Sequence, residues 1–213
     1  MKNSCLSLVA AVFLISCNQQ PKSATRLSTN YDSLRVVLER MRANDQEIRR
    51  ILVDSIGFDS PHAGPFIKKM MDIDRENQKN IKLILETYGW IPRSKIGKEA
   101  ADAFFFTVQH TDLELMEIWF PEFKKLAAAG EANPQHAAMM EDRLLMWQGK
   151  KQMYGTQAAD FRPDKKMAIW PIENPKEVNA RRKQVGFTTT IEEYAASMDA
   201  IYNENEQLPD NKR

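Results

Sequence analysis

Two aspartates and a histidine stand where apolar residues are expected. Asp45 falls four residues after Met41 and three before Ile48, in the middle of the stripe Leu34, Leu38, Met41, Ile48 and Leu52. A second stripe, Ile67, Met70, Met71, Ile81, Leu85 and Tyr88, is interrupted by Asp74, Asn77 and Gln78. In FFFTVQHTDLEL, residues 104–115, Gln109 and His110 follow a run of phenylalanines, and His110 shares a helical face with Ile96, Ala100, Ala103 and Phe106. A carboxylate on a buried face is costly unless it is paired or hydrogen-bonded. Arg49, four residues after Asp45, can reach it. Two readings fit: a polar network that ties helices in register, or a ligand pocket between them. If a carboxylate accepts from one nitrogen of His110, the tautomer is fixed and the other nitrogen is free as a base. His110, Asp45 and Asp74 are therefore the candidate catalytic set.

A polar rim is expected around them. Tyr154-Gly155-Thr156-Gln157 is a loop whose glycine allows close approach to a ligand. Arg181 and Arg182 diverge by about 100° on a helix, so one of them can turn inward. There it would suit a carboxylate or phosphate, or pair with Asp45 or Asp74. The expected ligand-binding set is Arg49, Asn77, Gln109, Arg143, Tyr154, Gln157, Arg181 and Arg182. No metal or cofactor is expected. Carboxylate bundles of the di-metal kind use Glu-x-x-His, but Thr107 stands three residues before His110 and Asn133 three before His136. H-E-x-x-H and the phosphate-binding glycine loop are also missing. His62, in the loop DSPHAGP, and His136, in a first helical turn, read as surface residues.

The elements that must position these groups are helical. Apolar periods predict helices over about 31–54 and 66–88, the second closed by Gly89-Trp90-Ile91-Pro92. A third runs from about Ile96 toward Trp119 and is apolar on two sides, as a central helix is. Pro121 is expected to restart it before it finishes near Gly130. Asn133-Pro134 opens a fourth helix, with Ala137, Met140, Leu144 and Trp147 inward and Asp142 and Arg143 beside that stripe. Prolines at 163, 171 and 175 break any period, and Ile169-Trp170-Pro171-Ile172 reads as a short extended piece. A short helix through Asn179 to Arg182 stops at Gly186. Thr190-Ile191-Glu192-Glu193 is a capping box for a last helix with Ile191, Tyr194, Ala195, Met198 and Ile201 inward. The expectation is a mainly α, single helical domain over 31–205, of about five to six helices, with a long irregular segment near 155–175 and a disordered tail over 206–213.

The N-terminus suggests an address. Lys2, then an apolar run from Leu6 to Ile15, reads as a signal peptide, too short for a membrane span. Leu14-Ile15-Ser16-Cys17 resembles the lipobox of bacterial lipoproteins, which implies cleavage before Cys17 and a lipid on its sulfur; the competing reading is an ordinary secretory signal. Acyl chains would then partner the bilayer, at about 0.8 kcal/mol per buried CH₂. Residues 17–30 would be a tether, and the domain would lie at an envelope membrane, facing the periplasm. Cys5 leaves with the signal and Cys17 is acylated, so thiol catalysis and cysteine-ligated zinc are excluded on this reading. The whole chain carries 30 basic and 29 acidic residues. That balance leaves no electrostatic footprint for nucleic acid.

The order Gly89-Trp90, Pro92, Ser94, Ile96-Gly97, Gln109-His110-Thr111-Asp112, Asp142-Arg143, Gln152, Tyr154 to Gln157, Arg181-Arg182 and Gly186 resembles an uncharacterised family of bacterial proteins. Asp45-Gln46 with Arg49, and Asp74 with Asn77, fit its upstream part, so the likeness covers roughly residues 40 to 195. Pro92 follows Trp90 by two rather than one, and Thr111 stands where alanine is usual. The family brings no activity with it. The resemblance implies that these residues belong to one site. The functional expectation is a lipoprotein that binds a small polar or anionic ligand. The alternatives are a hydrolase or transferase using His110 as general base, and an interaction protein in which the network is purely structural.

Overall fold

Asn30 accepts a hydrogen bond from the Ser33 amide at 3.1 Å and so caps α1, Tyr31–Arg50. The computed structural model describes residues 30–209; the signal segment, Cys17 and nearly all of the tether lie outside the described residues. A π-helical stretch, Ile51–Ile56, prolongs α1 to Gly57. Helix α2, Gly64–Tyr88, starts with Pro65 in its first turn and ends at Gly89. Helix α3 is Arg93–Gln109, α4 Leu113–Ala128 and α5 Pro134–Trp147. Two-residue strands follow, β1 Ala158–Ala159 and β2 Ala168–Ile169, paired antiparallel. The chain then forms a 3₁₀ turn at Pro175–Glu177, α6 Val178–Gln184 and α7 Ile191–Ser197. The mainly α expectation holds, with seven α-helices among the described residues.

Helix α3 is central. Ile96, Ala100, Ala103, Phe104, Phe105 and Val108 are all fully buried, against α1 on one side and α2 on another. Its first turn is deflected at Gly97, whose φ of +81° an L side chain would adopt only under strain. Trp90, set by the turn after α2, stacks on Phe123 of α4 at 4.1 Å and tilts against Phe104 at 5.0 Å. Helices α4 and α5 pack on each other beside this core. A smaller apolar cluster of Ile169, Ile172, Val178, Ile191 and Ala195 gathers β2, α6 and α7. The extended piece expected at 169–172 supplies β2 and the Gln152–Ile172 bridge.

Several expectations need correction. The third helix does not run on to Pro121. It ends at Gln109, with His110 as its C-cap, and Asp112 caps a fresh helix by accepting from the Leu115 amide at 2.8 Å. Pro121 lies inside α4 on an exposed turn, where water can serve the carbonyl it leaves unpaired. Met71, Tyr88 and Trp147 were assigned inward but are exposed; Ile84 is buried on α2 instead. Glu206, at the head of the expected tail, accepts from Arg162 at 2.6 Å.

His136 is not a surface residue. It is buried, stacked face to face on Phe105 at 4.0 Å, with Nδ1 3.5 Å from the Asp102 carboxylate. Burial pushes its pKa down to about 4 against the upward pull of Asp102, and Lys98 and Arg42 push the same way as burial. His136 is therefore neutral in the folded protein at neutral pH. An unfolded histidine takes its proton near pH 6.5, so between about pH 6.5 and 4 the unfolded state binds more protons. Stability should fall as pH drops through that window, by on the order of 3 kcal/mol from this residue. Denaturation of wild type and His136→Phe at several pH values checks this. The variant should keep the stack and lose most of the slope; an unchanged slope would assign the acid sensitivity to other groups.

Candidate functional site

Arg49 is where three helices meet. From α1, its Nε donates to the Asp45 carboxylate at 2.8 Å. Its Nη2 donates to Asp74 of α2 at 2.7 Å and lies 3.5 Å from Nδ1 of His110 at the end of α3. Its Nη1 reaches the Met70 sulfur at 3.4 Å. Asp45 is buried as its mid-stripe position required, and Gln46 also donates to it at 2.9 Å. Gln78 donates to the backbone carbonyl of His110 at 2.7 Å and so fixes the helix end. One carboxylate oxygen from each aspartate and one ring nitrogen of His110 lie within 4.8 Å of one another. They surround a hollow of about 10 Å³, enough for a single water, lined also by Arg42, Asn77, Gln78 and Thr107.

The sequence expectation gave His110 a carboxylate partner and left its other nitrogen as a base. The structure gives it a different neighbour. A guanidinium has only donors to offer, so the nitrogen it faces is the one with the lone pair. Nδ1 is then the acceptor, and Nε2 carries the proton in the neutral ring. Burial holds the His110 pKa below its ordinary value, Arg49 and Arg143 act in the same direction, and Asp45 and Asp74 pull back. The residue is open to solvent on one side, which moderates the effect of burial. The outcome is a neutral imidazole whose remaining nitrogen is a hydrogen-bond donor.

His110 also borders a second, larger hollow. This cleft, of about 260 Å³, is lined by Gln109, His110, Asp112, Met116, Arg143 and Trp147, with Thr111 and Leu113 at its edge. Arg143 comes from α5 and donates through Nη1 to the Gln109 carbonyl at 2.7 Å. Its Nε is buried without a partner, and so is the side-chain oxygen of Gln109. Gln109 is only 4% exposed. Buried polar atoms are almost always satisfied, at a cost of about 1–3 kcal/mol when they are not. Both residues line the cleft, and each carries a polar atom with no partner inside the protein.

The remaining rim residues stand elsewhere. Asp142, beside Arg143 on α5, turns the opposite way and is fully buried. Its carboxylate accepts from the amides of Met153, Tyr154 and Thr156 and from the Thr156 hydroxyl, at 2.7–3.2 Å. Burial pushes its pKa up and these donors pull it down. Gln157 bonds to Gln152, which is itself fully buried and donates to the Gln157 and Trp170 carbonyls. Arg182, 1% exposed, donates to the carbonyls of Tyr154 and Thr189. Arg181 donates to the carbonyls of Met153, Glu173 and Asn174. Gly155 has φ +72°, and a Cβ there would collide with Ile191 and Ile172. Tyr154, Gln157, Arg181 and Arg182 thus fasten a loop, and none of them lines the hollows around His110.

The profile of a family of unknown function (DUF6624) matches residues 32–205. The chain belongs to that family. No curated protein and no solved structure matches it. For this DUF6624 chain, the implication that all the singled-out residues form one site is corrected to two assemblies. One is the Arg49–Asp45–Asp74–His110 node with the Arg143 cleft; the other is the loop anchored on Asp142. The three potential metal ligands come from three helices, so no single-helix spacing motif could have disclosed them. The Asp102–His136 pair was missed for the same reason.

The two assemblies should answer mutation differently. Asp142→Asn puts an amide NH₂ against backbone N–H donors and should cost about 3 kcal/mol or more. His110→Gln, at a half-open helix end, should cost less than about 1 kcal/mol. Urea denaturation measures both, and equal losses would undo this division into anchor and site.

Proposed function

We propose that the protein is a binding protein for a small polar anion, held in the cleft between the α3–α4 turn and α5. The observation that carries this reading is that Arg143 and Gln109 line one cleft and each holds a buried side-chain atom without a partner, Nε and Oε1, which a side-chain rotation would turn to a ligand. Arg143 supplies the positive charge, and its free N–H calls for a carboxylate or phosphate oxygen. Gln109 Oε1 calls for a donor on the same molecule, a hydroxyl or an amine. The proton on His110 Nε2 adds a further donor. A volume of about 260 Å³ sets the size at a small metabolite rather than a chain. Trp147, 64% exposed on the rim, offers an aromatic flank.

Binding is favoured over catalysis by the tautomer. A general base needs its lone pair on the nitrogen that meets the substrate. The Arg49 guanidinium, 3.5 Å from Nδ1, favours the tautomer with its lone pair on that nitrogen. A hydrolase or transferase built on His110 would first have to displace that guanidinium.

The test uses tryptophan fluorescence and calorimetry with inorganic phosphate, lactate and serine as probes. At least one should bind and change the Trp147 signal, and Trp147→Phe should remove the change. Gln109→Met is the decisive variant. It deletes an unsatisfied buried acceptor, so the free protein should be as stable as wild type or up to about 2 kcal/mol more stable. It should nevertheless bind the probe about tenfold more weakly. If the variant is destabilised and binding is unchanged, the Gln109 oxygen has an internal role and the cleft is not the site.

The same proposal places the domain at a membrane surface through a lipid on Cys17. Support comes from the Leu14-Ile15-Ser16-Cys17 sequence after an apolar run; no described helix is long and apolar enough to cross a membrane. Cys17→Ser should move the protein from the membrane fraction to the soluble one and abolish palmitate labelling in cells. Retention of the label would place the lipid elsewhere.

A further inference from the structure

We propose that Asp45, Asp74 and His110 form a site for one divalent transition-metal ion, and that Arg49 pairs with these same three groups in the ion's absence. This goes beyond the anion cleft and does not depend on it. The donors converge from α1, α2 and the end of α3, each offering an atom within 4.8 Å of the others. Adjacent ligand atoms about 2.0–2.2 Å from a metal lie roughly 3–3.6 Å apart, so donors spread over as much as 4.8 Å would close by about an ångström around the ion. The hollow between them, about 10 Å³, suits one small ion or water and nothing larger.

Two further observations point to an ion. Asn77, 92% buried by its 8% exposure, lines the hollow, and its side chain has no hydrogen bond among the described residues. Its amide oxygen is a fourth available ligand. The charge balance points the same way. Two carboxylates share the one guanidinium of Arg49, which leaves a negative charge in excess. A dication in its place cancels both. Arg42 also lines the hollow; its Nη1 is buried without a hydrogen bond, 3.8 Å from the Glu99 carboxylate that balances its charge, and its guanidinium lies over the face of Phe106. Arg49 is long, 29% exposed along its side chain, and can leave toward solvent. Its present contacts trace the proposed ligands: it touches both aspartates and Nδ1, the lone-pair nitrogen that a metal requires. Gln46 on Asp45 and Gln78 on the His110 carbonyl orient two of the ligands from behind. One imidazole with two carboxylates favours Zn²⁺ or Mn²⁺ over Mg²⁺ or Ca²⁺.

Calorimetry of metal-stripped protein with Zn²⁺, Mn²⁺ and Mg²⁺ tests the site, with circular dichroism to verify each fold. Wild type should bind one Zn²⁺ or Mn²⁺ per chain more tightly than Mg²⁺, with a rise in Tm. Arg49→Gln removes the competing cation and should tighten binding by about tenfold or more. Asp74→Asn should abolish it. Because either variant could compromise folding, Co²⁺ binding to wild-type protein provides a second readout: its visible absorption should show a site with nitrogen and oxygen ligands. Absence of binding in both wild type and folded Arg49→Gln, or binding that survives Asp74→Asn, overturns the proposal. Failure of the anion probes would leave it untouched, since this readout uses the metal alone.

Discussion

A single guanidinium holds the site side of the molecule in register. Asp45 lies on the core face of α1, where an unpaired carboxylate would be untenable, so α1 must bring its own cation. Arg49, one turn further on, is that cation, and its second nitrogen then demands a partner from α2 and a lone pair from α3. The mutual orientation of the three helices at this end follows from those demands. The apolar core fixes how close the helices come. The ion pairs fix which residues face each other. Breaking one partner of such a set strands a buried charge, whereas the intact set contributes little net stability. The network is therefore better explained by what it positions than by how much it stabilises.

Helix α5 joins this node to the rest of the chain through two adjacent residues. Asp142 and Arg143 diverge by about 100°, as neighbours on a helix must. Asp142 turns into the smaller cluster and gathers backbone amides from the 153–156 loop; Arg143 turns to the α3–α4 turn and gathers the Gln109 carbonyl. Each acts on main-chain groups, so each fixes a backbone path. The division of labour between arginines has the same logic. Arg181 and Arg182 spend their donors on carbonyls, while Arg143 keeps one donor unspent. Only the unspent donor is available for a ligand.

Periodicity read the parts of the fold that depend on local spacing. Asp45 is buried in mid-stripe, α3 is buried nearly all round from Asp102 to Gln109, and Thr190 and Glu193 make their capping box. It failed where contacts between distant segments decide. His110 falls in phase with Ile96, Ala103 and Phe106, which put it on an apolar face. Phase carries no information on where a helix stops, and this one stops at Gln109, with a new helix capped by Asp112. His136 read as surface because its partners, Asp102 and Phe105, are more than thirty residues away in sequence. The rim arginines were credited to the pocket because residue type alone cannot tell a guanidinium that meets ligands from one that caps carbonyls. The meeting of Asp45, Asp74, Asn77 and His110 at one hollow was legible from their places in the stripes; that Arg49, rather than a carboxylate, faces His110 Nδ1 was not.

The termination of α3 is what gives that meeting point its character. As a C-cap, His110 has one face against the aspartates and Arg49 and the other on an open cleft. An imidazole has one lone pair and one N–H, and here the surroundings allot the lone pair to Nδ1 on the acidic side. Whatever cation accepts that lone pair, arginine or metal, leaves the opposite nitrogen a donor. Positive charge on one side of the ring and a proton on the other polarise it in the same sense. On that tautomer the ring would present an acceptor to the inner hollow and a donor away from it.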